Sequence, residues 1–135
     1  MRSECFDSDI AVGTDILCID RIKRILEGED SWFLDNLFSK DEQEAALNRP
    51  VPLHYYATRF AGKEAVIKTL SRCKGDFSFS EIEILSAPDG APYVKLSGKT
   101  QKLAEGNYLK GISISLSYDT GYAVAFAIAE FDSLH

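Results

Sequence analysis

Residues 59–68 read Arg-Phe-Ala-Gly-Lys-Glu-Ala-Val-Ile-Lys, which sets one carboxylate among three cations. On an α-helix, at about 100° per residue, Glu64 and Lys68 share a face with Phe60 and Ile67. Arg59 and Lys63 form a neighbouring charged row, and Ala61, Gly62 and Ala65 form a third face almost without side-chain bulk. A carboxylate so placed can coordinate a hard cation while the cations hold phosphate oxygens. The same pattern suits a plain solvated helix with an i,i+4 ion pair of about 0.2–0.5 kcal/mol. Spacing alone leaves both open.

The elements that must position these groups follow from the hydrophobic pattern. Ile10 to Leu17 alternates as a strand carrying Gly13 and Asp15, and Ile19, Ile22, Ile25 and Leu26 recur at helical spacing up to Gly28. Trp32, Phe33, Leu37 and Phe38 mark a second apolar helical face, and Ser39-Lys-Asp-Glu42 fits a capping box. After Pro50 and Pro52 the longest helix runs from Leu53 to about Ser71. Gly62 costs an isolated helix about 1 kcal/mol relative to Ala, which tight packing on another backbone would explain. Strands are expected at 82–85 and 93–96 around the turn Pro88-Asp-Gly-Ala, with a short helix at 98–105. Ile112, Ile114 and Leu116 alternate with serines, and alanines at 123, 125, 127 and 129 alternate with Val124, Phe126 and Ile128. That last strand is apolar on both faces, so it belongs inside the sheet, with helices or another subunit against its alanines. The class is α+β: residues 1–9 form a short lead-in and 10–135 a single domain.

The composition excludes several functions. The chain has 135 residues, 45% of them hydrophobic and 27% charged, enough for one soluble globular core. No apolar run approaches the roughly 20 residues that cross a bilayer, and the polar, acidic start is no signal peptide. Three cysteines show no metal-ligand spacing, which suits a reducing cytoplasm. A net charge of −6 argues against general nucleic-acid binding.

Taken together the motifs resemble the holo-acyl-carrier-protein synthases, small members of the 4′-phosphopantetheinyl transferase superfamily. The resemblance rests on Gly13-Thr-Asp15-Ile-Leu, Phe38-Ser-Lys-Asp-Glu42, the whole stretch 59–68, Gly90-Ala-Pro92, Leu96-Ser-Gly98 and Ser115-Leu-Ser117, in order from about Ile10 to Glu130. It implies an antiparallel sheet packed on a long helix, a homotrimer with sites between subunits, and transfer of phosphopantetheine from coenzyme A to a serine of apo-acyl-carrier protein. By the same resemblance Asp15 and Glu64 bind Mg²⁺, and Lys63 and Lys68 contact coenzyme A phosphates, with Glu64 and Lys68 as the catalytic pair. Arg59 is implied at the 3′-phosphate and Gly90 to Pro92 near the adenine. The base for the serine proton is left between Glu64 and a metal-bound water.

Arg21 and Arg24 share one face of a locally basic helix in an acidic chain. The resemblance assigns that face to docking the acidic carrier, where charge would speed and orient encounter. Two departures stand out. Tyr118 occupies the position where the family has a histidine that contacts coenzyme A phosphate, and a phenol cannot become a cation at neutral pH. His54, one and a half turns before Arg59, could compensate or be a helix-surface residue. After Lys68 a glycine-rich loop is replaced by Leu70-Ser-Arg-Cys-Lys-Gly75, so Arg72 and Lys74 are either phosphate contacts or surface charges. The rival readings are a non-catalytic carrier-binding module of the same fold and a transferase for a specialised carrier.

Overall fold

The computed structural model describes residues 8–28 and 32–133. Its strands are β1 (Ser8–Cys18), β2 (Ile82–Ser86), β3 (Pro92–Leu96), β4 (Leu109–Tyr118) and β5 (Tyr122–Asp132). Its helices are α1 (Ile19–Glu27), α2 (Trp32–Leu37), α3 (Lys40–Leu47), α4 (Pro52–Thr69) and α5 (Gly98–Gly106), with a 3₁₀ turn at Phe79–Glu81. Residues 1–7 of the expected lead-in lie outside the described residues, while Ser8 and Asp9 already belong to β1. None of the described helices is long and apolar enough to cross a membrane.

One sheet runs in the order β1-β5-β4, all antiparallel, and β2 and β3 form a separate antiparallel pair. The alternation in β5 decides how α4 packs. Ala123, Ala125, Ala127 and Ala129 are fully covered, and their small side chains let the helix settle close above the sheet. β5 is central, as its two apolar faces require. The other face of the sheet is open, however: Ile16 is 65% exposed, with Ile10, Val12, Phe126 and Ile128 beside it. The expectation that a helix or a subunit lies against the alanines is therefore met by α4, and the large side chains are the ones left uncovered.

Two glycines permit the close approach. A methyl group on Gly13 would run into the Ala65 backbone carbonyl, which is why β1 can lie directly against α4. A methyl on Gly62 would meet the tip of Ile84, so the small face foreseen on the helix is packed on β2 and β4. The capping box is present, with Glu42 N donating to Ser39 Oγ and Ser39 N to Glu42 Oε1. α1 follows β1 without a loop, and Ile19 N donates to Gly121 O at 2.9 Å, so the basic helix is tied to the β4–β5 turn.

Candidate active site

Gly13 and Asp15 point from β1 toward α4, since both face the alanines of β5 in the register Gly13↔Ala127 and Asp15↔Ala125. That brings Asp15 to the α4 face carrying Glu64 and Lys68. Lys68 Nζ donates to Thr14 O at 2.7 Å and lies 3.5 Å from Asp15 Oδ1. Among the described residues Glu64 makes no hydrogen bond or ion pair, and it is half-buried. Burial pushes its carboxyl above the usual range, the Asp15 charge adds to this, and Lys68 and then Arg21 oppose it. A second carboxylate therefore sits close enough to repel Glu64, and a bound dication would relieve that repulsion.

No cluster of three or more His, Cys, Asp or Glu that could hold a metal occurs among the described residues. Two carboxylates nevertheless fit Mg²⁺, which takes one or two such ligands and completes its shell with phosphate and water. The donor set is all oxygen, and Asp15 and Glu64 retain access to solvent.

Lys63 goes elsewhere, and the expectation that it contacts phosphate is corrected. Its side chain is fully buried and pairs with Glu42 Oε1 at 2.7 Å, while Nζ also donates to Phe79 O and Ile82 O. Those three acceptors use all three protons of an ammonium. Glu42 in turn accepts from Ser39 N and from Ile84 N at 2.9 Å, so the polar atoms of both partners are satisfied inside the protein. Burial lowers the Lys63 amine and raises the Glu42 carboxyl, and their mutual attraction opposes both shifts. The pair fastens β2 to α4.

Arg59 and Tyr118 line a separate open cleft of about 230 Å³, with Arg49, His54, Tyr55 and Leu116. Arg59 stacks on the Tyr55 ring at 4.1 Å and donates from Nη2 to Ser86 Oγ at 2.9 Å. Arg49 reaches the same oxygen at 2.8 Å and lies 5.0 Å from the same ring. Neither arginine has a carboxylate partner among the described residues, and burial lowers the Arg59 guanidinium while Arg49 adds to that. Pro92 sits across from Ser86 in the β2–β3 register, and Gly90, at φ +92°, shapes the turn beyond. Gly90 and Pro92 are thus on the Arg59 side of the molecule. Arg49, Ser86 and Tyr55 were invisible in the sequence as site residues, because only the fold brings a β2 serine under two arginines. Arg72 is taken up by Asp9 and the Phe131 ring, and Lys74 is exposed. Arg21 and Arg24 are exposed on α1, where Arg24 Nε reaches Asp20 O at 3.3 Å.

A family model described as the 4′-phosphopantetheinyl transferase superfamily matches residues 11–127. The chain belongs to that superfamily. It is 43% identical over 122 residues to the holo-[acyl-carrier-protein] synthase of Ruminiclostridium cellulolyticum, covering 89% of this chain and 91% of that one. The synthase of Clostridium kluyveri is 42% identical over 125 residues, covering 91% of each. Among solved structures, a Chronobacterium ammoniagenes ACPS–CoA complex superposes with a TM-score of 0.79 at 29% identity, covering 92% of this chain and 98% of that one. The Helicobacter pylori synthase in complex with coenzyme A gives 0.74 at 29% identity, covering 87% and 98%. The α+β architecture, with an antiparallel sheet packed on a long helix, is that of these synthases.

Proposed function

We propose that this chain transfers the 4′-phosphopantetheine group of coenzyme A to a serine of apo-acyl-carrier protein, releasing adenosine 3′,5′-bisphosphate. The observation that carries this reading is the meeting of Asp15 and an unpaired Glu64 where Gly13 lets β1 touch α4. Asp15 and Glu64 would hold Mg²⁺, which when bound supplies Lewis-acid neutralisation of charge on the phosphate that leaves. Lys68, exposed beside Asp15, adds a mobile positive charge for phosphate oxygens. The cleft beneath Arg49 and Arg59 takes the nucleotide end of coenzyme A, with Gly90 and Pro92 toward the base. Lys63 takes no part in binding phosphate and holds β2, and with it Ser86, in place.

Incubation with apo-carrier, coenzyme A and Mg²⁺, followed by intact-mass measurement of the carrier, tests the reading. Addition of one phosphopantetheine is expected; no addition at high enzyme concentration overturns it in favour of a binding module. The exposed α1 face docks the acidic carrier. Arg21 also acts on Glu64, so Arg24 separates the roles cleanly. Arg24→Glu is expected to raise the KM for carrier about tenfold with the KM for coenzyme A within about twofold. An equal rise in both would remove α1 from docking.

The partner of the open sheet face is a second copy of the same chain, in a homotrimer. Ile10, Val12, Ile16, Val124, Phe126 and Ile128 form a contiguous apolar surface across β1 and β5, of the kind that marks an interface. Sedimentation is expected to give the mass of three chains; a monomer at every concentration would exclude the assembly. Free Cys18 and Cys73 suit work in a reducing cytoplasm.

A further inference from the structure

Arg21 and Arg24 stand on the same helix but face different ways. Ile19 and Ile22 are buried, and Ile25 and Leu26 are half-buried against the core, so one side of α1 rests on the molecule, α4 included. At about 100° per residue Arg24 falls roughly opposite that side, out in solvent. Arg21 lies on a flank, about 40° round from Ile25, at the margin of the packed side. From there its charge reaches Glu64 of α4.

The path of the chain explains the placement. β1 runs into α1 without a loop, and the bond from Ile19 N to Gly121 O fixes the corner. One continuous segment therefore carries both Asp15 and Arg21 to the neighbourhood of Glu64. Among the described residues neither Arg21 nor Glu64 makes a hydrogen bond or an ion pair. The guanidinium thus offsets charge on the carboxylate from a distance, without closing on it. A dication arriving at Asp15 and Glu64 meets that same positive charge as repulsion. An acid that pairs with Arg21 cancels most of it. Asp15 and Glu64 then repel each other with Lys68 alone to offset them, and the site draws a dication more strongly.

We propose that Arg21 couples carrier docking to metal binding: an acidic side chain of the carrier pairs with it and so raises the affinity of the Asp15–Glu64 site for Mg²⁺. The inference rests on the reading of Asp15 and Glu64 as the metal ligands and of α1 as the docking face. By linkage, the carrier's affinity rises by the same factor when Mg²⁺ is bound. The metal site is filled most completely when an acceptor is in place.

The test uses the whole chain with coenzyme A and an apo-carrier whose acceptor serine is replaced by alanine, so that no transfer occurs. Mg²⁺ binding is measured by calorimetry with and without saturating carrier, after subtracting the titration of carrier alone. In the wild type the carrier is expected to tighten Mg²⁺ about fivefold, the low end of couplings between sites, as suits an exposed side chain. Arg21→Ala should bind Mg²⁺ about fivefold more tightly without carrier and gain nothing further when carrier is added. Arg21→Lys keeps the charge and should keep the coupling. Arg24→Ala should weaken carrier binding yet, at saturation, tighten Mg²⁺ by the wild-type factor. A thermal melt reports that each variant is folded. A wild-type chain that binds Mg²⁺ and carrier independently overturns the proposal alone. Coupling that survives in Arg21→Ala also overturns it, placing the effect in the carrier's own charge. A wild-type chain that binds no Mg²⁺ with coenzyme A present overturns the metal reading itself, and this proposal with it.

Discussion

Replacing Glu64 or Asp15 with alanine is expected to lower phosphopantetheine transfer by about 10³-fold or more, with the melting temperature unchanged or slightly raised. The loss follows from the role proposed for each as one of two protein ligands to Mg²⁺, a cation that would supply several kcal/mol of charge stabilisation in the transition state, each 1.36 kcal/mol being about tenfold in rate. The unchanged stability follows from the contacts. Glu64 has no hydrogen-bond or ion-pair partner among the described residues, and its carboxyl is raised by burial and by Asp15. Asp15 gives up only a 3.5 Å contact with a half-exposed Lys68. Such a pair is worth little at a surface, so neither side chain holds the fold together. The checks are intact-mass turnover, a thermal melt, and Mg²⁺ binding in the presence of coenzyme A. Turnover within about tenfold of wild type in either variant would detach that residue from the metal.

The largest effect on stability is expected at the buried pair. Glu42→Ala leaves the Lys63 ammonium enclosed without its ion-pair partner, with two carbonyls to accept from it and Glu83 as the remaining carboxylate nearby, and breaking a buried ion pair in this way costs about 3–5 kcal/mol. Lys63→Met should cost a similar amount, since it strands Glu42 at zero exposure and frees the carbonyls of Phe79 and Ile82. The double variant should be far less destabilised than the sum of the two, because each single change already loses the shared interaction. Denaturant unfolding of the four chains gives this coupling directly. The pattern that would return Lys63 to the phosphates is different: wild-type stability with a KM for coenzyme A raised more than about tenfold.

Lys63 also shows where sequence reading stopped. A helical wheel relates a residue to its own helix, and there Lys63 shares a row with Arg59; its partner Glu42 lies 21 residues upstream in another helix. Both halves were visible separately, Phe38-Ser-Lys-Asp-Glu42 as a capping box and Lys63 as a cation. The fold joins them, with Nζ 5.3 Å from the centre of the Phe38 ring. That explains why one carboxylate can close a helix start and neutralise a buried lysine at once. The hairpins, the α4 boundaries and the turn before Pro92 were legible because turn residues and alternation are local signals. β5 was half legible. Two apolar faces place a strand inside a sheet, but which face the helix takes depends on side-chain size, and here the alanines let α4 in while Phe126 and its neighbours stay open. The Asp15–Glu64 meeting needs Gly13, whose role appears only when a methyl is imagined against Ala65.

Ser86 has a consequence in proton counting. A serine oxygen carries two lone pairs and one hydrogen. Arg49 takes one lone pair and Arg59 the other, at 2.8 and 2.9 Å. The oxygen has nothing left with which to accept, and its single hydrogen must point outward as a donor. Ser86 is thereby made one-directional by its neighbours: it can greet a group that accepts, and it has no answer for a group that only gives. A hydroxyl that on its own could face either way is left as a donor alone by the two arginines beside it.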